Sequence, residues 1–363
     1  MKFKISKEQL SQGLQSVQNV VSSRSTLPIL SNVLLIAEGT TLTLVATDLD
    51  TTIKSTVDAK VTRSGSTTIP AKRFFEIVRE VISPEIEIEI DDKNFCHLRA
   101  GSSNFKMFGL SADEFPPIPV FNEARKVTLK QQAVKDLITK TSYAASSDET
   151  RFVLNGVMLS LKDHAVTIVA TDGRRLALAE EQVDIPSSSH GECIIPIKTI
   201  QELSRQLGTG DIDILLGTNQ VCFKMPRTEI TSKLIEGVFP NYKQVIPQDA
   251  KERITLMREE FLGALRRASI MTGDKGSSVK IQLSKNTLLI TANSPDVGES
   301  MESMAINYQG KEFAIAFNPA YMIEPLKALT ADEVYLELID ELSPGILKTQ
   351  SAFLYVLMPM RMG

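Results

Sequence analysis

The stretch Val169–Leu178 reads VATDGRRLAL, and related stretches recur on both sides of it. Val45–Asp48 reads VATD again, and a drifted copy, LLITANSPD, covers Leu288–Asp296. The first two copies lie 124 residues apart, and Ile290–Asn293 follows the second by another 121. Solenoid repeats are roughly 20 to 50 residues long, so a period of this length indicates a triplicated domain.

A helical pattern precedes each copy, and a second one follows it. Apolar spacing such as Leu10, Leu14 and Val17 fits one face of an α-helix. Each second helix has a proline near its start, where the missing N–H has no intrahelical partner to lose. The six predicted helices cover residues 6–24, 70–81, 128–146, 196–207, 256–273 and 317–329.

Apolar and acidic residues alternate, or nearly so, after each second helix. These stretches are Glu85–Ile90 (EIEIEI), Asp211–Leu215 (DIDIL) and Glu333–Leu338 (EVYLEL). A period of two predicts a strand with one buried face. The sequence therefore predicts an α+β fold of three similar repeats, each with two helices and antiparallel sheets. The predicted domains are residues 1–120, 121–247 and 248–363.

Composition narrows the class of protein. With 363 residues and 42% apolar content, the chain is long enough for two or three domains that each bury a core. The sequence has no secretory signal pattern and no long apolar run, so we expect a cytoplasmic protein. Cys96, Cys193 and Cys222 form no CxxC pair and are expected to be reduced in strands. His97, His164 and His190 are scattered along the chain, which disfavours a metal site. No cofactor is predicted.

The net charge of −4 conceals an uneven distribution. The six predicted helices hold 14 Lys/Arg and 8 Asp/Glu, whereas the remainder holds 26 and 36. An excess of basic residues often means only that one helix face is exposed to solvent. Triplication, however, allows the helices to line one concave surface. That surface would hold a polyanion by its backbone without reading bases. The candidate contacts are Arg24, Arg73, Lys130, Lys198 and Arg267.

Several longer stretches are similar to one known family, the bacterial sliding clamps, which are β subunits of replicative DNA polymerase III. They occur in the family's order in all three repeats and at both ends of the chain. The matching stretches are TLPILSNVLL from Thr26, VATDLD from Val45, IPAKRFFEI from Ile69, RFVLNGVML from Arg151, VATDGRRLA from Val169, FPNYKQVIP from Phe239 and YVLMPMRMG from Tyr355.

The resemblance implies a ring-forming DNA clamp fold with the helices inside and the sheets outside. Two chains would close head to tail as a homodimer around duplex DNA, independently of sequence. The implied partners are the alpha-type subunit of the replicative polymerase, an ATP-driven clamp loader, and other polymerases and repair proteins that carry clamp-binding motifs. The clamp would raise the effective concentration of the polymerase at the primer end. No membrane partner is implied.

The resemblance also implies a groove that binds a short partner peptide between the second and third domains. Apolar side chains would form its trough, and arginines and an asparagine would bind peptide carbonyls and carboxylates. By motif position, the groove residues are Leu154, Thr171, Gly173, Arg174, Arg175, Leu176, Pro240, Val245, Asn318, Tyr321, Val356, Met358, Pro359, Met360 and Arg361.

Some positions depart from the family pattern. Arg174 stands where the family commonly has histidine, and Gln244 where a basic residue is frequent, so the peptide preference is open. Phe152 and Val153 stand where some relatives have tyrosines that contact DNA. Pro325 lies inside the last predicted helix and predicts a kink or an early break there. The extra tail Met362–Gly363 is expected to be tolerated.

Other interpretations stay open from the residues alone. Asp172 with its neighbours can be an ordinary turn, and Leu154, Leu176 and Val245 can be core residues. An enzyme would need converging acid, base or metal residues, and the sequence has no H-E-x-x-H, G-x-S-x-G or Walker A motif. A repeat scaffold that binds only proteins and never encircles DNA is the stronger alternative.

Overall fold

The structure, a computed structural model, describes residues 1–21, 27–121, 125–162, 164–247, 252–273 and 278–361. The chain divides into two compact units. The first combines Met1–Gln132 with Gln201–Leu234, and the second combines Ala133–Ile200 with Ile235–Gly363. Arg24 and the tail Met362–Gly363 lie outside the described residues.

Six α-helices occupy the six predicted places within the described residues. The first, third and fifth are shorter than predicted, because strands occupy the residues just before them. Turns follow the first and fifth, and the short 3-10 helix Ser142–Ala144 follows the third. The helices are α1 (Lys7–Val17), α2 (Ala71–Glu80), α3 (Gln131–Thr141), α4 (Ile197–Gln206), α5 (Arg258–Ser269) and α6 (Pro319–Ala328).

Strands make up most of the remaining chain. The first repeat contains β1 (Lys2–Ser6), β2 (Asn32–Glu38), β3 (Thr41–Thr47), β4 (Thr51–Asp58), β5 (Lys60–Arg63), β6 (Gly65–Pro70), β7 (Glu85–Ile90), β8 (Phe95–Ala100) and β9 (Ser103–Phe108). The second contains β10 (Arg125–Lys130), β11 (Gly156–Lys162), β12 (Ala165–Thr171), β13 (Arg175–Gln182), β14 (Gly191–Pro196), β15 (Asp211–Leu216), β16 (Gln220–Lys224) and β17 (Thr228–Lys233). The third contains β18 (Glu252–Met257), β19 (Val279–Ser284), β20 (Thr287–Ser294), β21 (Gly298–Ala305), β22 (Phe313–Phe317), β23 (Glu333–Leu338), β24 (Gly345–Lys348) and β25 (Phe353–Leu357).

The first unit holds two antiparallel sheets. A five-stranded sheet has the order β5-β1-β7-β8-β9, and an eight-stranded sheet has the order β10-β15-β16-β17-β4-β3-β2-β6. The larger sheet crosses a repeat boundary, because β17 of the second repeat pairs antiparallel with β4 of the first. A cross-strand ion pair, Lys54 with Glu229 at 3.5 Å, lies on this junction.

The second unit repeats the scheme. Its eight-stranded sheet runs β14-β11-β12-β13-β25-β24-β23-β18, and its four-stranded sheet runs β21-β20-β19-β22. Here β25 of the third repeat pairs antiparallel with β13 of the second. In each large sheet, therefore, a late strand of one repeat continues the sheet of the repeat before it.

The alternating stretches form strands, as predicted. In β7 the apolar residues Ile86, Ile88 and Ile90 are buried, and the glutamates between them are more exposed. Phe115 and Phe239, which close the first two repeats, pack on the VATD strands through clusters that contain Val45 and Val169 respectively. The repeat in sequence is thus a repeat of core packing.

The first residue of the first helix ties together the helix pair in the first and third repeats. Lys7 Nζ donates to the carbonyls of Arg79 and Val81 at 2.9 and 2.6 Å. Arg258 does the same in the third repeat, donating to Leu326 and Ala331 at 3.0 and 2.7 Å. Both cations satisfy carbonyls at or just beyond the end of the second helix, where no helical N–H reaches.

The early break predicted at Pro325 is wrong. Helix α6 continues to Ala328 and has 10 residues, as α2 and α4 do. Proline removes the N–H that would bind the carbonyl four residues earlier, that of Tyr321. Tyr355 Oη donates to this carbonyl at 2.8 Å. A side chain from β25 therefore satisfies the carbonyl that the proline leaves open.

Three further features complete the fold. Cys96, Cys193 and Cys222 are free, buried and in strands, as predicted. Burial raises the pKa of Cys96 and of Cys193 to about 12, so both thiols are neutral. Among the described residues, no helix is long and apolar enough to cross a membrane.

Candidate functional site

The turn that follows β12 shapes one wall of the predicted groove. Asp172 Oδ1 accepts from the backbone N–H groups of Arg174 and Arg175 at 2.9 and 3.1 Å. Thr171 Oγ1 donates to the carbonyl of Arg175 at 2.6 Å and accepts from the N–H of Gly173 at 3.1 Å. The interpretation of Asp172 as a turn residue is confirmed, because its carboxylate organises this Asx turn.

The same turn occurs in the first repeat, where Asp48 Oδ1 accepts from Asp50 and Thr51 at 3.1 and 2.7 Å. Leu49 there has a φ of 78°, and Gly173 has a φ of 85°. Glycine makes this left-handed conformation inexpensive. Since leucine also adopts it, the glycine has a second effect, which is to leave the groove wall without a side chain.

Ten predicted groove residues surround one cavity of about 140 Å³ in the second unit. Small-molecule sites are usually larger, roughly 300–1,000 Å³, so this volume fits one or two side chains of a peptide. Asn241 and Tyr242 also line the cavity and were not predicted, although both lie inside the FPNYKQVIP stretch. The ten are Leu154, Thr171, Gly173, Arg174, Arg175, Leu176, Pro240, Val245, Val356 and Met358.

The other five predicted groove residues lie outside the cavity lining. Asn318 is the N-cap of α6, where its Oδ1 accepts from Ala320 N–H at 2.9 Å. Met360 N–H donates to the carbonyl of Ala316 at 2.7 Å. Tyr321 lies under the guanidinium of Arg175, whose Cζ is 4.3 Å from the ring centroid. Pro359 is half-buried and Arg361 is exposed.

The floor of the cavity is the surface of a hydrophobic core. Leu176 and Val356 pair across β13 and β25 and belong to one buried cluster with Val169 and Phe239. Met358 N–H donates to the carbonyl of Arg174 at 2.9 Å, which extends the contact beyond β25. The interpretation of Leu176 as core is therefore correct, and Leu176 also lines the cavity. Val245 and Met358 are exposed apolar residues at the rim.

Arg175 is 9% exposed and has polar partners from both repeats of the second unit. Its Nε lies 3.0 Å from Asp172 Oδ2, and one Nη donates to the carbonyl of Tyr143 at 2.7 Å. The other Nη is paired with Glu324 of α6. No motif predicted this network, because its members come from three separate places in the sequence.

Electrostatics keep Arg175 charged. Burial alone would lower the pKa of Arg175, but Tyr355 and Glu324 outweigh it and raise the pKa above its ordinary value. Burial also raises the pKa of Tyr143 and of Tyr355, so both phenols are neutral. Among the described residues, Tyr143 Oη has no hydrogen-bond partner.

The predicted DNA contacts differ in their surroundings. Arg73 on α2 and Lys198 on α4 are exposed. Lys130 lies in β10 and not in a helix, and its Nζ is 2.6 Å from Asp211 Oδ1. Arg267 on α5 makes two bonds with Glu302, at 3.0 and 2.7 Å. Lys130 and Arg267 therefore have acidic partners in the free protein.

Within the described ranges no three His, Cys, Asp or Glu side chains converge in a way that could hold a metal ion. The chemistry of the site is that of an apolar cavity with a cationic rim.

Comparison with known proteins accounts for all three repeats. Residues 1–119 match the N-terminal domain of the DNA polymerase III beta subunit, residues 128–241 match the central domain, and residues 243–361 match the C-terminal domain. The chain belongs to the DNA polymerase III beta subunit family. Members of this family are bacterial beta sliding clamps, and nothing in the comparisons supports a repeat scaffold that does not encircle DNA.

Individual beta sliding clamps are similar over their full length. The beta sliding clamp of Chlamydia muridarum is 36% identical over 364 residues, which cover 100% of this chain and 99% of the relative. That of Bacillus subtilis is 32% identical over 377 residues, with 99% and 100% covered. The crystal structure of the Pseudomonas aeruginosa sliding clamp bound to griselimycin aligns with a TM-score of 0.96 at 32% identity, with both chains fully covered.

Proposed function

We propose that two copies of this DNA sliding clamp close head to tail around duplex DNA and tether the replicative polymerase to it. The observation that carries this proposal is the repeated strand junction. β17 joins β4, and β25 joins β13, each linking a repeat to the one before it. β9 of the first repeat corresponds to β17 and β25, and β21 of the third repeat corresponds to β4 and β13. Both β9 and β21 are edge strands of their sheets.

Those two edges carry apolar side chains that a partner would cover. On β9, Phe105 and Phe108 are 36% and 73% exposed, and on β21 Met301 is 72% exposed. Ile270, just after α5, is 72% exposed. Exposed strand edges with apolar side chains are normally protected, and pairing with a second copy protects both edges at once.

The cavity around Leu176 is the proposed docking site for partner peptides. Its apolar floor would take a leucine or phenylalanine side chain, and Arg174 at the rim would attract an acidic residue or a terminal carboxylate. Peptide backbone beyond the cavity would reach Asn318, Tyr321, Pro359, Met360 and Arg361. The alpha-type polymerase subunit, other polymerases and repair proteins that carry such motifs are the proposed partners.

Duplex DNA would be held through its backbone by exposed cations such as Arg73 and Lys198. We assign no catalytic residue to the chain, so opening and loading would depend on a separate ATP-driven clamp loader. The proposed domains are residues 1–120, 121–247 and 248–363. The proposed compartment is the cytoplasm, where the chromosome is replicated.

The deciding experiment uses the full chain, the cognate clamp loader with ATP, and a singly nicked circular plasmid. After gel filtration we expect the protein to co-elute with circular DNA and to be released when the plasmid is linearised. Release on linearisation is the signature of topological linkage. Equal retention on linear DNA would show ordinary binding, and no retention on circles would favour a scaffold that binds only proteins.

A further inference from the structure

The sixth residue of each second helix is a glutamate. Helices α2, α4 and α6 all have 10 residues, and counting from their first residues gives Glu76, Glu202 and Glu324. Glu76 is exposed in the first repeat. Glu202 and Glu324 each contact the repeat that precedes their own. One position of the second helix therefore lies at both junctions between repeats within the chain.

At the first junction the glutamate has a neutral partner in the preceding repeat. Asn19, which follows α1, donates from its Nδ2 to Glu202 Oε2 at 3.2 Å. Glu202 is buried and also pairs with Arg205 of its own helix. Gln206 Nε2 donates to the carbonyl of Ser16 at 2.9 Å, which adds a second bond between the two repeats. None of these five residues lines the proposed docking cavity.

At the second junction the glutamate pairs with a residue that does line the cavity. Glu324 forms an ion pair with Arg175 of β13, and in this pair the arginine is buried and the glutamate half-buried. Tyr321, one turn earlier on α6, lies under the same guanidinium at 4.3 Å. Helix α6 therefore holds the guanidinium from the side of the third repeat.

Arg175 depends on this second carboxylate. From its own repeat it has Asp172 Oδ2, 3.0 Å from its Nε, and the carbonyl of Tyr143. Asp172 also maintains the turn, because its Oδ1 accepts from two backbone N–H groups. A buried cation is stable only where its charge and its N–H groups are paired. Without Glu324 one Nη would need another acceptor or water, and the cavity is the space beside it.

Resting on the proposed docking site, we propose that Glu324 is a positioning residue for peptide binding, although it does not line the cavity itself. It holds the guanidinium of Arg175 in the wall and so keeps the space of about 140 Å³ free for a peptide side chain. Arg175 belongs to the second repeat and α6 to the third. The peptide affinity then depends on how these two repeats are joined.

The dependence is reciprocal. A peptide that covers the remaining exposed edge of Arg175 excludes water there and strengthens the ion pair with Glu324. The coupling free energy between two equilibria is the same in both directions. Peptide docking therefore tightens the contact between the second and third repeats, whereas the junction at Glu202 is unaffected.

Removal of the two equivalent carboxylates tests this role. We expect Glu324→Ala to weaken binding of a fluorescent peptide from the cognate polymerase subunit about fivefold or more, because the guanidinium loses a charged partner and can enter the cavity. Glu202→Ala, the matched control at the first junction, should leave the affinity within about twofold of the wild type. Fluorescence anisotropy measures the affinity at a temperature where thermal unfolding shows every variant to be folded.

A double-mutant cycle shows whether Glu324 acts through Arg175. Arg175→Met is expected to lower the peptide affinity by itself, and adding Glu324→Ala should then change it by less than about twofold. A general loosening of α6 would instead produce the same loss in both backgrounds. That outcome, or an equal loss in Glu202→Ala, would overturn the positioning role.

The outcomes separate this inference from the proposed docking site. If Val245→Asp at the cavity rim weakens peptide binding but Glu324→Ala does not, the docking site stands and the positioning role is wrong. If the wild type does not bind the peptide, or Val245→Asp has no effect, the docking site and the positioning role fail together.

Discussion

Arg175 illustrates how one residue can belong to a ligand cavity and to the core. Its guanidinium faces Asp172, Glu324, the carbonyl of Tyr143 and the ring of Tyr321. A planar guanidinium can make these contacts in different directions, whereas a lysine ammonium cannot, so this arginine fixes the cavity wall as well as lining it. The neighbouring Arg174 is exposed and is left to meet the partner.

The cavity is best tested at Val245, which is exposed in the free protein. We expect Val245→Asp to weaken binding of a fluorescent peptide from the cognate polymerase subunit about tenfold or more, because the bound peptide would desolvate the new carboxylate. Fluorescence anisotropy measures the affinity. Val238→Asp is the control, since Val238 is also exposed but does not line the cavity. Similar losses in both variants would argue against peptide docking at this cavity.

At the scale of elements, α6 and β25 depend on each other through Pro325. The proline leaves the carbonyl of Tyr321 without a helical donor, and Tyr355 Oη takes its place. A buried acceptor without any donor costs about 1–3 kcal/mol. The hydroxyl of Tyr355 is therefore expected to matter because a proline stands in the helix.

This dependence predicts a non-additive pair of substitutions. Tyr355→Phe should lower the free energy of unfolding by about 1–3 kcal/mol in the wild type. It should cost about 1 kcal/mol less in the Pro325→Ala background, where an alanine N–H can bind the Tyr321 carbonyl. Urea unfolding of the four proteins in the cycle gives the coupling energy. Equal costs in both backgrounds would show that the hydroxyl does not replace the helical bond.

The elements also show what can be predicted from sequence and why the remainder could not. Residues 128–130 read as the start of a helix, yet they belong to β10, because pairing with β15 buries Val127 and Leu129. Three residues are too few to separate a period of 2 from 3.6. The break at Pro325 was expected from local chemistry alone, and the donor that prevents it comes from β25, 30 residues later in the chain.

The candidate site could likewise be predicted only where its residues lie close together in the sequence. Ten residues that line the cavity could be predicted from their positions in the matching stretches. Asn241 and Tyr242 lie in one of these stretches but were not predicted. The network around Arg175 was missed because Tyr143, in the short 3-10 helix Ser142–Ala144 after α3, and Glu324 of α6 meet Arg175 only in the folded chain. Tyr321, which is also predicted in the groove, lies outside the cavity lining and packs against the guanidinium of Arg175.

For the whole molecule, the exposed cations decide how strongly the proposed ring holds DNA. Arg73 is exposed, whereas Arg267 already has Glu302 at 2.7 Å. A cation that must leave an acidic partner gains less from a phosphate, so the two arginines should differ. Weak backbone contacts of this kind also suit a protein that slides.

Salt dependence tests this difference. If Arg73 contacts one phosphate, Arg73→Ala should reduce the slope of log affinity against log salt by about 0.9. Arg267→Ala should reduce it by less. Binding to a primed duplex is measured at several salt concentrations, with Arg253→Ala as the control because Arg253 stacks on Tyr335. An unchanged slope for Arg73→Ala would argue against its contact with DNA.

The strand junctions respond differently to dilution. Those between β17 and β4 and between β25 and β13 join segments of one polypeptide, so their formation does not depend on protein concentration. The proposed junction between β9 and β21 would follow mass action. The cellular concentration of the protein, relative to its dimer dissociation constant, would then set how many closed rings exist. That number would limit how many chromosomes can be replicated at once.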